Sequence, residues 1–271
     1  MINIDNFKYN QKILMLALDH RGSFQKLLPN LSKAELEKQI LEIKKMIIDS
    51  QYENYSGILL DPEFGLKSYT KDKPFLLCIE KSGYDSNSEG KPCKLENSVE
   101  ELKKMGAYGI KILIFLNPKS TSLSQKIELL KQVNANCHKN NLPFFLEFLT
   151  YPVNGLDYNL EKAILESLKI ILDNGIFPDV FKLEYPGNAQ TCNQITKKLN
   201  GIPWILLTKG VNFPTFKNSL KVAIGEGAAG FLAGRSLWQD FIDYPRVGWR
   251  QFFERTVKQR FNQINKIALS I

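Results

Sequence analysis

Lys182 lies in the middle of an apolar run, DVFKLEYPG (179–187), with Glu184 two positions on. Side-chain alternation along a strand puts both on one face. A charge buried there costs several kcal/mol unless it is paired or neutralised. The same conflict recurs along the chain. Lys111 sits within GIKILIF and Glu147 within FFLEFL. Asp19, His20 and Arg21 follow KILMLAL, Thr208-Lys209-Gly210 follows PWILL, and Gly234-Arg235 closes AGFLAGR. Any one of these has a structural explanation, such as a rim charge, a helix cap or an inter-strand ion pair. Two lysines and two acids recurring inside apolar strands point instead to one shared site.

Two lysines with carboxylates suit imine chemistry. A neutral amine attacks a ketone, and burial together with a second ammonium favours the neutral form. Lys182 is the expected nucleophile and Lys111 the neighbouring cation. Glu147 is the expected proton shuttle during carbinolamine formation and dehydration. The protonated imine then accepts the electrons of an adjacent carbon–carbon bond. Asp19 is placed to take the proton of the hydroxyl whose bond is cleaved.

These residues need a scaffold that brings strand ends together. Eight apolar runs (12–18, 56–61, 74–80, 109–116, 143–149, 179–185, 203–208 and 229–234) alternate with amphipathic stretches. Ser32 with Glu35 marks the start of one helix. Eight strand–helix repeats predict a single-domain (β/α)8 TIM barrel over residues 1–271, with chemistry at the C-terminal strand ends. No GxGxxG follows the first strand, which disfavours a doubly wound sheet. The polar stretch 82–98 is expected to be a mobile loop, and 245–268 a helical extension. In such barrels the turns after strands seven and eight commonly hold a phosphate. Thr208, Lys209, Gly210, Gly234 and Arg235 are the candidates here. His20, Arg21 and Glu184 complete the expected substrate-binding set.

Composition bounds the alternatives. The chain has 271 residues, 44% hydrophobic and 24% charged, with a net charge of +8. The lysines are spread out and mixed with acids, which argues against nucleic-acid binding. Two histidines are too few for a histidine-based metal centre, so neither metal nor cofactor is expected. The four separated cysteines are expected to be reduced thiols. No run is long and apolar enough for a membrane span, and no signal-peptide core opens the chain. The expected location is cytoplasmic. The positive charge suits a phosphorylated metabolite as the expected partner, and a homo-oligomer is compatible with the aromatic C-terminal segment.

The motifs ALDHRGS, DPEFGL, GIKILIF, LEFL, DVFKLEYPG, TKGV and AGFLAGRSLW occur in order. They resemble the class I aldolases typified by tagatose-bisphosphate aldolase and its sulfosugar-cleaving relatives, over about residues 12–240. The resemblance implies a metal-free barrel that splits a ketose phosphate into dihydroxyacetone phosphate and an aldehyde. It implies Lys182 as the Schiff-base lysine, with Lys111, Glu147 and Asp19 beside it. Thr208, Gly210, Gly234 and Arg235 would bind phosphate. Two positions depart from the pattern: His20 stands where glutamine is usual, and Lys209 where alanine is typical. The chain also resembles the deoxyketogluconate-phosphate aldolases of inositol breakdown. A non-catalytic phosphosugar-binding barrel, or an isomerase or epimerase with the same phosphate site, are the readings from other classes.

Overall fold

The computed structural model describes residues 2–83 and 93–270. Eight parallel strands form its centre: β1 (Lys12–Leu18), β2 (Gly57–Leu60), β3 (Phe75–Cys78), β4 (Gly109–Leu116), β5 (Phe144–Thr150), β6 (Val180–Leu183), β7 (Trp204–Leu207) and β8 (Gly230–Ala233). Each pairs with the next in sequence, and β8 pairs with β1, with Ile13 opposite Gly230. The sheet is therefore a closed (β/α)8 barrel, as the alternating runs predict. A two-residue strand, Lys8–Tyr9, pairs antiparallel with β1.

Nearly every strand residue is buried because each strand has two buried faces. Outward side chains such as Leu14, Leu16, Ile58 and Ile110 pack under the helices. Inward side chains form a separate apolar cluster that includes Ile13, Met15, Leu76, Phe145, Val180 and Ile205. The N-terminal segment joins that cluster through Ile4 and Phe7, whose ring meets Phe145 edge-on at 5.4 Å. Glu147 and Lys182 lie two residues beyond Phe145 and Val180 toward the C-terminal ends, and Lys111 joins them from β4. The barrel thus has an apolar floor beneath a charged upper layer.

Ser32 caps the helix Lys33–Gln51 through a reciprocal capping box with Glu35. Helices Leu123–Lys139, Leu160–Asp173, Ala189–Leu199 and Phe213–Gly225 follow their strands as expected. The second repeat departs from expectation. The stretch after β2 holds only a 3-10 turn, Leu66–Ser68, and no α-helix. The end of the chain is helical, running through a π-helical stretch, Phe252–Val257, into a helix over Lys258–Ala268. Part of the loop expected at 82–98, residues 84–92, lies outside the described residues.

Asp61 organises the turn after β2 by accepting from the N–H groups of Phe64 (2.7 Å) and Gly65 (3.0 Å). It also pairs with Lys44 from the preceding helix, and both side chains are wholly buried. Lys44 donates in addition to the Leu18 carbonyl at 2.8 Å, one residue before Asp19. This pair therefore anchors the end of β1. Asp61→Ala would strand a buried ammonium, and we expect a loss of about 3–5 kcal/mol in urea unfolding. A loss under about 1 kcal/mol would show that the pair does not anchor β1.

Candidate active site

The strand register places the charged side chains. Glu147 on β5 stands opposite Lys182 on β6, and Cys78 on β3 opposite Lys111 on β4. Lys111 is almost fully buried. Its ammonium lies 2.8 Å from Asp19 Oδ2, 2.6 Å from Glu80 Oε1 and 3.2 Å from Glu147 Oε2. Lys182 Nζ donates to that same Glu147 oxygen at 2.8 Å. Three carboxylates thus surround two ammonium groups, and one oxygen bridges the two lysines. The positive charge between Asp19 and Glu80 is the Lys111 ammonium itself.

The electrostatics follow from this packing. Burial works against the charged form of Lys111, but Asp19, Glu80 and Glu147 outweigh it and hold the amine well above its ordinary range. Burial likewise opposes the Asp19 anion. Lys111, His20 and Lys182 overcome it and bring Asp19 far below the usual carboxylate range. For Glu80 burial wins over Lys111, and its pKa is raised. For His20 burial lowers the pKa to about 3, helped by the Arg235, Lys182 and Lys44 cations and opposed by Asp19.

These groups line a cavity of about 620 Å³ at the C-terminal mouth of the barrel. That is an ordinary size for a small-molecule site. Thr208, Lys209 and Arg235 form its opposite wall. Gly210 has φ +75°, and a Cβ there would stand 2.9 Å from Arg235 Nη2. Glycine is therefore what lets the turn after β7 lie against the guanidinium. A Cβ at Gly234 would stand 2.8 Å from His20 Cε1, so that glycine lets the histidine ring in. His20 packs edge-on against Trp238 at 5.2 Å, and its Nδ1 is buried without a hydrogen-bond partner. Arg235 Nε is likewise unpartnered.

Two expected substrate contacts are already held by protein groups, although Arg21 also lines the cavity. Arg21 pairs with Glu96 and donates to the Glu80 carbonyl at 2.5 Å, pinning the base of the loop that follows β3. Glu184 lies beyond the end of β6, so strand alternation does not carry it into the cavity. Its carboxylate accepts from the Thr150 N–H (2.8 Å) and hydroxyl (3.0 Å) and pairs with Lys209. Lys209 adopts φ +49°, a left-handed conformation rare for lysine, and its side chain is half exposed at the rim. His138 is exposed on its helix, and the four cysteines are free thiols. Among the described residues no helix is long and apolar enough to cross a membrane. Sequence reasoning missed Glu80. Its signal was akin to that of Glu147: an acid in an apolar run, here the last residue of PFLLCIE.

Residues 13–240 match the model of the DeoC/LacD family aldolases. The chain belongs to that family. It is accordingly an aldolase, a carbon–carbon lyase. It is 29% identical to the tagatose 1,6-diphosphate aldolase of Staphylococcus aureus strain bovine RF122 / ET3-1, over 98% of this chain and 94% of that protein. Its fold is similar to a Schiff base-forming fructose-1,6-bisphosphate aldolase with a TM-score of 0.66 at 18% identity, covering 94% of this chain and 97% of that one. The fructose-bisphosphate aldolase of Slackia heliotrinireducens is similar with a TM-score of 0.69 at 15% identity, covering 98% and 84%.

The histidine environment gives a direct check on this aldolase's mouth. Unfolded, His20 takes its proton near pH 6.5. Between about 6.5 and 3 the unfolded chain thus holds a proton that the folded one lacks, so His20 destabilises the fold as pH falls through that window. In NMR spectra the His20 ring signals should stay flat from pH 8 to 5. A midpoint near 6.5 would show that the ring is solvated.

Proposed function

We propose that this aldolase cleaves a phosphorylated ketose through an imine on Lys182, releasing dihydroxyacetone phosphate and an aldehyde. The observation that carries the reading is the single Glu147 oxygen between Lys182 at 2.8 Å and Lys111 at 3.2 Å. A nucleophilic amine must shed a proton and later see its carbinolamine dehydrated. Both steps need a carboxylate within hydrogen-bond reach of the amine, and Glu147 has that position.

The steps follow from the contacts. Lys182 first passes a proton to Glu147; the neutral Nζ attacks the ketone carbon, and the carbonyl oxygen takes that proton from Glu147. The attacking nitrogen then gives a second proton to Glu147, which delivers it to the same oxygen so that it leaves as water, giving the protonated imine. Asp19, kept ionised by Lys111, accepts the proton of the substrate hydroxyl beyond the scissile bond. The electrons of the broken carbon–carbon bond pass into the imine and form an enamine, and the aldehyde departs. Protonation of the enamine carbon and hydrolysis of the imine release the ketone product and return the amine.

Arg235 and the Gly210 turn form the anion end of the cavity. A guanidinium offers two parallel hydrogen bonds to a phosphate, and the adjacent turn brings main-chain N–H groups close. The Staphylococcus aureus relative, named for tagatose 1,6-diphosphate, supports a ketose bisphosphate as the substrate class. Neutral His20, with an unpartnered Nδ1 at the cavity wall, is available to a substrate hydroxyl.

Borohydride added with dihydroxyacetone phosphate should fix the three-carbon unit on Lys182, mapped by mass spectrometry. Lys182→Arg should abolish both adduct and turnover. An adduct on another lysine, or none, would defeat the reading. Glu147→Gln should lower kcat by about 10²–10⁴-fold with little change in KM. An unchanged kcat would remove Glu147 from the proton path.

A further inference from the structure

Glu80 belongs to no role derived above. It closes β3, it is almost fully buried, and it lines the mouth cavity. Its Oε1 is 2.6 Å from Lys111 Nζ, shorter than the contacts Lys111 makes with Asp19 or Glu147. Its Oε2 is buried without a hydrogen-bond partner among the described residues. An unpartnered buried carboxylate oxygen is costly. The fold nevertheless fixes the backbone from which this side chain projects. The Glu80 carbonyl accepts from Arg21, Glu80 bridges to Leu95, and the flanking Lys81 N–H bonds the Lys94 carbonyl at 2.8 Å.

We propose that Glu80 is a positioning residue that locks Lys111 as a permanent cation, leaving Glu147 free to serve Lys182. The proposal rests on the imine reading above for its consequence, though not for its geometry. Lys111 is faced by Asp19 from the end of β1, Cys78 and Glu80 from β3 and Glu147 from β5, with Lys182 of β6 across the shared Glu147 oxygen. Two of those anions have other work during turnover. Asp19 takes up a hydroxyl proton, and Glu147 passes protons to and from the carbinolamine oxygen. Whenever either is protonated, Lys111 loses a counter-charge. Among the described residues Lys111 is the only ion-pair partner of Glu80, and Glu80 makes no ion pair with Lys182. It is therefore the anion that keeps Lys111 charged and in place throughout the cycle. Without it, Lys111 would draw Glu147 toward itself and away from Lys182.

Trace acetylation at pH 9, read by mass spectrometry, measures this without needing turnover. The acetylation rate of Lys111, relative to exposed Lys169 on the same chain, follows its neutral fraction. Removing one close anion lowers an amine's proton affinity by about 10- to 1000-fold. Glu80→Gln keeps the side-chain shape, so labelling of Lys111 should rise by at least about tenfold, with kcat falling and KM nearly unchanged. Glu80→Asp keeps the charge at a greater distance, so its Lys111 labelling should fall between wild type and Glu80→Gln. Should Glu80→Gln not fold, Glu80→Asp is read alone: moving the carboxylate back by one carbon should still raise Lys111 labelling measurably and lower kcat. Lys111 labelling that is the same as wild type in the folded variant overturns the proposal. So does a rise in labelling that is equal at every lysine, which marks general loosening. Absence of a borohydride adduct in the wild-type enzyme would instead defeat the imine reading and leave the labelling result to stand on its own.

Discussion

One carboxylate oxygen shared by two lysines is the interaction on which the site depends. Glu147 Oε2 lies within hydrogen-bond reach of both ammonium nitrogens. Two cations this close repel strongly in a water-poor interior, and only an anion between them makes the arrangement stable. The asymmetry around that oxygen separates the two lysines. Lys111 has two further carboxylates, whereas Lys182 has Glu147 alone among its ion-pair partners within the described residues. The one is bound in place as a charge. The other can be released by a single proton transfer.

The barrel supplies this asymmetry through register. Parallel pairing sets Glu147 beside Lys182, and the Lys111 ammonium reaches the same Glu147 oxygen from β4. Below it, the apolar floor completed by Phe7 and Phe145 keeps water from the far end of the barrel. Around it, buried contacts fix the strand ends. Lys44 grips the Leu18 carbonyl, and Arg21 grips the Glu80 carbonyl. Backbone positions next to Asp19 and at Glu80 are therefore set before substrate arrives, as electrostatic catalysis requires.

Much of this was legible in the sequence because burial makes charges conspicuous. Lys111, Glu147 and Lys182 stood out as polar letters in apolar strands, and all three converge at the barrel mouth. The eight strands were legible because each is apolar on both faces. Glu184 was harder: alternation holds only while the strand lasts, and β6 stops at Leu183, so the side chain goes to Thr150 and Lys209. Arg21 is held by Glu96, a partner far along the chain that no local pattern reveals. Lys44 was hidden because a lysine in a helix normally reads as solvated, and only the turn at Asp61 makes it a core residue. The second repeat was counted from its strand, and only a 3-10 turn follows that strand.

The central claim is that the substrate's carbonyl oxygen is lost to water when Lys182 takes its place. Dihydroxyacetone phosphate labelled with oxygen-18 at its ketone tests this directly. The spontaneous hydration background is subtracted, and wild-type enzyme is compared with no enzyme. The account predicts enzyme-dependent loss of the label at a rate no slower than aldol turnover. Retention of the label while the aldol product forms would contradict it, because no imine would then lie on the path.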